Sequence, residues 1–261
     1  MAIAAEMFAS DLSSGNGVSH MISYSVRYAV PLIFMVVAAS SLQILFPGPL
    51  SRWWLRNRKY LGLCFAVAMA WQGLFIFIMS YFFRDYYYAD VYLLRDEIEG
   101  SAGYIFLAAM VLTSFRFGRS FLHQDQWRIL HKTGLYFLWA YPFSVYWWNS
   151  AHYYGSPAPI DHLFYWMGFI AFALRIAAWG KQREKRASAA LQALGSLVIS
   201  AGLVASASGQ YWQKSVSSVL SAPQWSADLE LWFPYWPFEP FLSLLMIGFG
   251  VLLLTKSKTR V

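Results

Sequence analysis

Charge is what this sequence has least of. Asp, Glu, Lys and Arg together make up 13% of its 261 residues, about half the share found in a soluble globular domain. So few charged side chains exclude an ordinary water-soluble domain, and the 58% hydrophobic content points to a membrane. Cysteine is nearly absent. Cys64, the single one, lies in an apolar run, which excludes an internal disulfide framework and a cysteine-based metal cluster. A Gly-rich dinucleotide fingerprint, a phosphate loop and a metalloprotease motif are missing as well. No apolar run has an acidic residue near its centre, which argues against an ion- or proton-coupled transporter. The N-terminus lacks a basic region leading directly into an apolar core, so residues 1–23 read as a polar leader and not a cleavable signal peptide. Lysine is absent from the interior of the last apolar run, Lys256 falling beyond it, which excludes a retinal-type receptor.

Apolar runs are what the sequence has in quantity. A helix needs about 20 residues to cross a hydrocarbon core of roughly 30 Å. Seven segments meet or approach that length: 24–46, 60–83, 101–122, 129–148, 160–180, 189–211 and 238–255. The charges between them alternate. Arg52, Arg56, Arg58 and Lys59 follow the first; Arg116, Arg119, Arg128 and Lys132 surround the join of the third and fourth; Lys181, Arg183, Lys185 and Arg186 follow the fifth; Lys256, Lys258 and Arg260 end the chain. The intervening loops hold acids instead: Asp85, Asp90, Asp96, Glu97 and Glu99, then Asp161, then Asp228, Glu230 and Glu239. By the positive-inside rule the N-terminus lies outside and the C-terminus is cytoplasmic. The net charge of +7 therefore reports topology, and nucleic acid is not an expected partner. The expected fold is an all-α integral membrane protein, a seven-helix transmembrane bundle at 24–255 with a basic cytoplasmic tail at 256–261.

The outer loops are aromatic. Tyr86, Tyr87, Tyr88 and Tyr92 fall in one, Trp147, Trp148, Tyr153 and Tyr154 near the next, and Trp232 and Trp236 in the proline-broken stretch LWFPYWPFEP. An interfacial belt accounts for such residues; a docking face for another membrane subunit is the alternative, with Tyr86, Tyr87, Tyr88, Trp232 and Trp236 as its contacts. The prolines at 234, 237 and 240 exclude a regular helix there and imply a re-entrant or surface-lying loop. The sixth segment carries Gly195, Ala201, Gly202, Ala205 and Ser206 at spacings that let backbones approach closely. Gly195 and Gly202 thus mark a packing face, inside the bundle or against a partner. Pro31 and Pro142 should bend their segments.

Candidate chemistry is confined to five histidines, at 20, 123, 131, 152 and 162. His123 and His131 belong to the cytoplasmic side, where Arg116 and Arg119 add cations suited to a lipid or quinone headgroup. His152 and His162 belong to the outer side.

Three stretches carry a family resemblance: RNRKYLGLCFAVAMAWQ at 56–72, LTS at 112–114 and WRILHKTGLYFLWAY at 127–141. With these the chain resembles the ferric-reductase-like transmembrane superfamily over about residues 56–179, and within it the haem-binding membrane subunit of the bacterial periplasmic methionine-sulfoxide reductase system. The resemblance implies histidines on facing helices ligating b-type haem. Counted from LGL and from the LH pair, two of those positions hold Gln72 and Ser144, and His131 alone is kept. Gln72 lies about 12 residues, or ~18 Å, into its segment, and Ser144 about 15 residues, or ~22 Å, into its own. One haem bridged there would lose both ligands, and neither Gln nor Ser is a usual axial ligand.

The expectation is an accessory or structural subunit of a larger respiratory or photosynthetic complex in the bacterial inner membrane, with no cofactor or metal. Membrane lipids and other membrane subunits are its expected partners. The second reading is a b-type haem subunit carrying electrons from a cytoplasmic-side donor or quinone to a periplasmic acceptor. His131 and His123 would then be the haem or quinone contacts, or His152 and His162 would hold a haem at the outer face. The larger ferric reductases continue into flavin and nicotinamide domains that this sequence does not contain.

Overall fold

A computed structural model describes residues 1–92, 94–150, 158–183, 185–209, 211–212 and 240–256. Within them run α1 (Ala2–Ala9), α2 (Gly15–Leu45), α3 (Pro49–Phe82), α4 (Arg84–Tyr86), a π-helical turn (Tyr87–Val91), α5 (Leu94–Thr113), α6 (Arg116–Arg119), α7 (Gln124–Trp148), α8 (Pro159–Gln182), α9 (Ala189–Ala207) and α10 (Leu242–Leu254). A two-residue antiparallel pairing joins β1 (Lys185–Arg186) to β2 (Thr255–Lys256). Among the described residues, four helices, α2, α3, α8 and α9, are long and apolar enough to cross a membrane, and α10 is a shorter apolar helix. The protein is helical and membrane-embedded.

The chain divides into two compact units, Met1–Val36 with Arg56–Trp139, and Val37–Leu55 with Ala140–Val261. In the first, α3 buries Phe65, Ala68, Phe75 and Met79, a stripe at helical spacing. Its other faces remain apolar although exposed, with Val67, Phe77 and Tyr81 all at 60% or more. A water-facing helix would carry polar residues there, so this pattern suits a helix whose outer faces meet an apolar surrounding.

Several expected boundaries move, among them the start of the second segment, which lies at Pro49 so that Arg52, Arg56, Arg58 and Lys59 are on a helix. The leader is not separate from the first long helix: α1 occupies part of it, and α2 begins at Gly15. Ser14 explains the early start, because its hydroxyl accepts the Gly17 amide at 3.2 Å and so caps the helix. The third segment, expected to run through 101–122, ends as a helix at Thr113. There the hydroxyls of Thr113 and Ser114 donate back to the carbonyls of Ala109 and Met110, each at 2.7 Å, an arrangement that competes with helix continuation. Gly118 then folds α6 against the end of α5 so closely that a Cβ would lie 2.2 Å from the Leu112 carbonyl oxygen. Pro31 and Pro142 each stay inside one uninterrupted helix.

In the second unit α9 and α10 meet backbone to backbone. A Cβ on Gly195 would stand 2.7 Å from the Gly250 carbonyl oxygen, and one on Gly202 would stand 2.9 Å from that of Ser243. Small residues are therefore required on both helices. Tyr165 of α8 adds a buried 2.7 Å hydrogen bond to Ser206 of α9, and Phe143 of α7 stacks on the Tyr165 ring at 5.4 Å and 10°. Two cations on α8 hold the C-terminal part of α2: Lys181 donates to the Ile44 carbonyl at 2.8 Å and Arg175 to that of Val37 at 3.2 Å. A helix C-terminus favours positive charge.

Gly195→Val is expected to lower the melting temperature of the detergent-solubilised protein by several degrees, overpacking costing roughly 1–3 kcal/mol. Leu197→Ala, at a position 67% exposed, should leave it nearly unchanged when both are followed by intrinsic fluorescence.

Candidate functional site

The LTS and W-x-x-x-H residues meet where α5, α6 and α7 join. Trp127 and His131 lie one turn apart on α7, and their ring centroids are 4.3 Å apart at 32°. Both reach back to the last residue of α5. The Trp127 indole donates to the Thr113 carbonyl at 3.1 Å, and His131 Nε2 lies 2.9 Å from Thr113 Oγ1. A hydroxyl has one proton to give, and Thr113 gives it to the Ala109 carbonyl at 2.7 Å. The close approach of His131 Nε2 to Thr113 Oγ1 ties α7 to the end of α5. Arg119 of α6 extends the group, its guanidinium lying 4.9 Å from the centroid of the Trp127 ring, and Lys59 of α3 sits 5.1 Å from the Phe115 ring centroid.

Gln72 continues the buried stripe of α3 and is engaged by α5. Tyr104 donates to Gln72 Oε1 at 3.0 Å and lies 3.1 Å from the Met69 carbonyl. Its ring covers Gly73 so closely that a Cβ there would meet it at 3.4 Å. Ser144 is buried, at 5% exposure.

These contacts decide whether the residues fit the haem that the resemblance implies. An iron ligand needs a lone pair and open space in front of it. Tyr104 occupies the space in front of the Gln72 carbonyl, and Thr113 Oγ1 stands 2.9 Å from His131 Nε2. Gln72 does not fit haem ligation in this arrangement, and His131 would have to give up its contact with Thr113 to ligate through Nε2.

The other expected site residues have plain positions. His123 is the N-cap of α7: its amide donates to Gln126 Oε1 at 2.9 Å, and its carbonyl accepts the Trp127 amide at 2.9 Å. That is half of a capping box, and the ring is exposed. Arg116 and Arg119 are both exposed. Tyr86 donates to Asn16 at 2.8 Å and packs on Gly15. Tyr87 is buried at 7% exposure and donates to the Glu97 carboxylate. Burial first, and then that carboxylate, push its phenol above the ordinary tyrosine range. Tyr88 is 55% exposed. Of the tyrosines expected at a docking face, then, Tyr88 presents its ring outward while Tyr86 and Tyr87 hold the loop together. Gly195 and Gly202 face α10 of the same chain. His20 is exposed beside Tyr24, and His162 lies on the first turn of α8. His152, Trp232 and Trp236 are outside the described residues.

Thr113, Trp127 and Tyr104 are the members that sequence reasoning left without a role. The i, i+4 spacing of Trp127 and His131 was available as a signal, and Thr113 lay in a quoted motif. Nothing in the sequence paired Tyr104 with Gln72. No family model, curated protein or solved structure matches the chain.

Removing the Tyr104 hydroxyl (Tyr104→Phe) or the Gln72 amide (Gln72→Leu) should each destabilise the protein. A double-mutant cycle should return a coupling of about 0.5–1.5 kcal/mol, the usual net worth of an internal hydrogen bond. Additive effects would mean that the two side chains do not meet.

Proposed function

We propose that this chain is a haem-less accessory subunit, built on a ferric-reductase-like scaffold and resident in the bacterial inner membrane. It crosses that membrane seven times, with the N-terminus outside and the C-terminus in the cytoplasm. The observation carrying this reading is the engagement of Gln72 by Tyr104: the side chain at an expected ligand position ties two helices together. The bond of His131 to Thr113 supports it in the same way. The orientation rests on the alternation of Lys and Arg clusters with acidic loops.

As a subunit, the protein contributes surface, not chemistry. The apolar faces of α3 and the exposed ring of Tyr88 are its available contacts for lipid and neighbouring membrane proteins, and a respiratory or photosynthetic assembly is the expected host. Affinity purification of the full chain from native membranes in a mild detergent is the test. The expected result is a stoichiometric, salt-resistant membrane protein in the eluate, lost after harsh detergent. Elution of the chain alone, at the mass of one copy in its micelle, would overturn the subunit reading.

A further inference from the structure

We propose that the turn between α5 and α7 is a binding site for the phosphate of an anionic phospholipid. The inference rests on the membrane reading and is independent of whether the chain is a subunit of anything.

The turn has two kinds of side chain arranged for a headgroup boundary. Arg116 and Arg119 open and close the short helix α6 and are exposed. Phe117 and Phe121 stand beside them, 77% and 73% exposed, with their rings edge to face at 5.3 Å. An exposed aromatic pair in water would be costly, whereas at the boundary of acyl chains and headgroups it is favourable, because rings enter the apolar layer while cations remain at the phosphates. Lys59 reaches the same end from α3 through Phe115, so cations from two parts of the chain converge here.

Local contacts also prepare the cations for an anion. Arg119 lies over the Trp127 ring, and Trp127 is itself fixed by its bond to Thr113. A guanidinium steadied against a ring loses less freedom when its paired N–H donors bind phosphate oxygens. Asp125, the nearby acid, lies 3.8 Å from Arg128, and both are exposed. Its charge is therefore directed to Arg128, and Arg116, Arg119 and Lys59 make a positive patch. Basic groups beside transmembrane helices bind anionic headgroups in this way.

Native mass spectrometry of the full chain in non-ionic detergent tests the proposal, with dioleoyl phosphatidylglycerol and dioleoyl phosphatidylcholine offered in equal amounts. The wild type should retain phosphatidylglycerol preferentially. Arg116→Gln and Arg119→Gln should each lower that preference, about tenfold when combined, while Arg128→Gln, which removes the same charge as either one but from α7, should leave it within about twofold. Arg119→Lys tests the same site if the double variant does not withstand detergent, because a lysine cannot offer the paired donors and should lose part of the preference. Excess inorganic phosphate should not displace the lipid. Displacement by phosphate would identify a site for a soluble anion instead. Equal retention of the two lipids by the wild type, or an equal loss in Arg128→Gln, would overturn the proposal.

Discussion

The hydrogen bond between Thr113 and His131 is the contact on which the first unit's architecture turns. A threonine hydroxyl at the end of a helix can stop that helix by bonding its own backbone, and Thr113 does so while also hydrogen-bonding a histidine on α7. One side chain thereby ends α5 and fastens it to α7. The indole of Trp127 closes the same junction from the other side by bonding the Thr113 carbonyl, a group that the end of a helix leaves unsatisfied. Because Trp127 is fixed, Arg119 has a flat surface to rest on, and because Gly118 tolerates contact with the Leu112 carbonyl, α6 can turn back sharply enough to bring Arg119 there. The polar groups of this corner thus satisfy one another.

The same economy of polar groups governs the rest of the chain. In an apolar surrounding an unpaired donor or acceptor costs several kcal/mol, so helices that carry polar side chains inward must pair them. Gln72 with Tyr104 and Tyr165 with Ser206 follow that rule. Where polar pairs are lacking, contact is made by removing side chains: α9 and α10 approach through Gly195, Gly202 and Gly250. Lys181 and Arg175 complete the pattern by supplying donors to carbonyls of α2.

Much of this was legible in the sequence, because hydropathy and charge are properties of stretches. The helical class and the approximate positions of the long apolar segments follow from runs of apolar residues, whereas the buried stripe of α3 does not, because its other faces are equally apolar. What was not legible depends on single atoms. The apolar run of α5 continues past Ser114 into Phe115 and Phe117, so hydropathy could not place the helix end set by two hydroxyls and by Gly118. Gly195 and Gly202 announced a close contact without naming the helix that fills it. The candidate site divides the same way: His131 stood out as an ionisable group in an apolar segment, but its partner Thr113 is an ordinary residue until the fold brings the two within 2.9 Å. Tyr104 reads as one more aromatic residue, and only tertiary structure assigns its hydroxyl to Gln72.

The central claim is that Gln72 and His131 are committed to holding helices together. The absorbance spectrum of the full chain purified from its native membrane, recorded before and after dithionite reduction, tests this most directly. The account predicts protein absorbance alone, with Soret and α bands far below one haem per chain. A reducible b-type spectrum at one haem or more per chain, lost in His131→Ala, would contradict it.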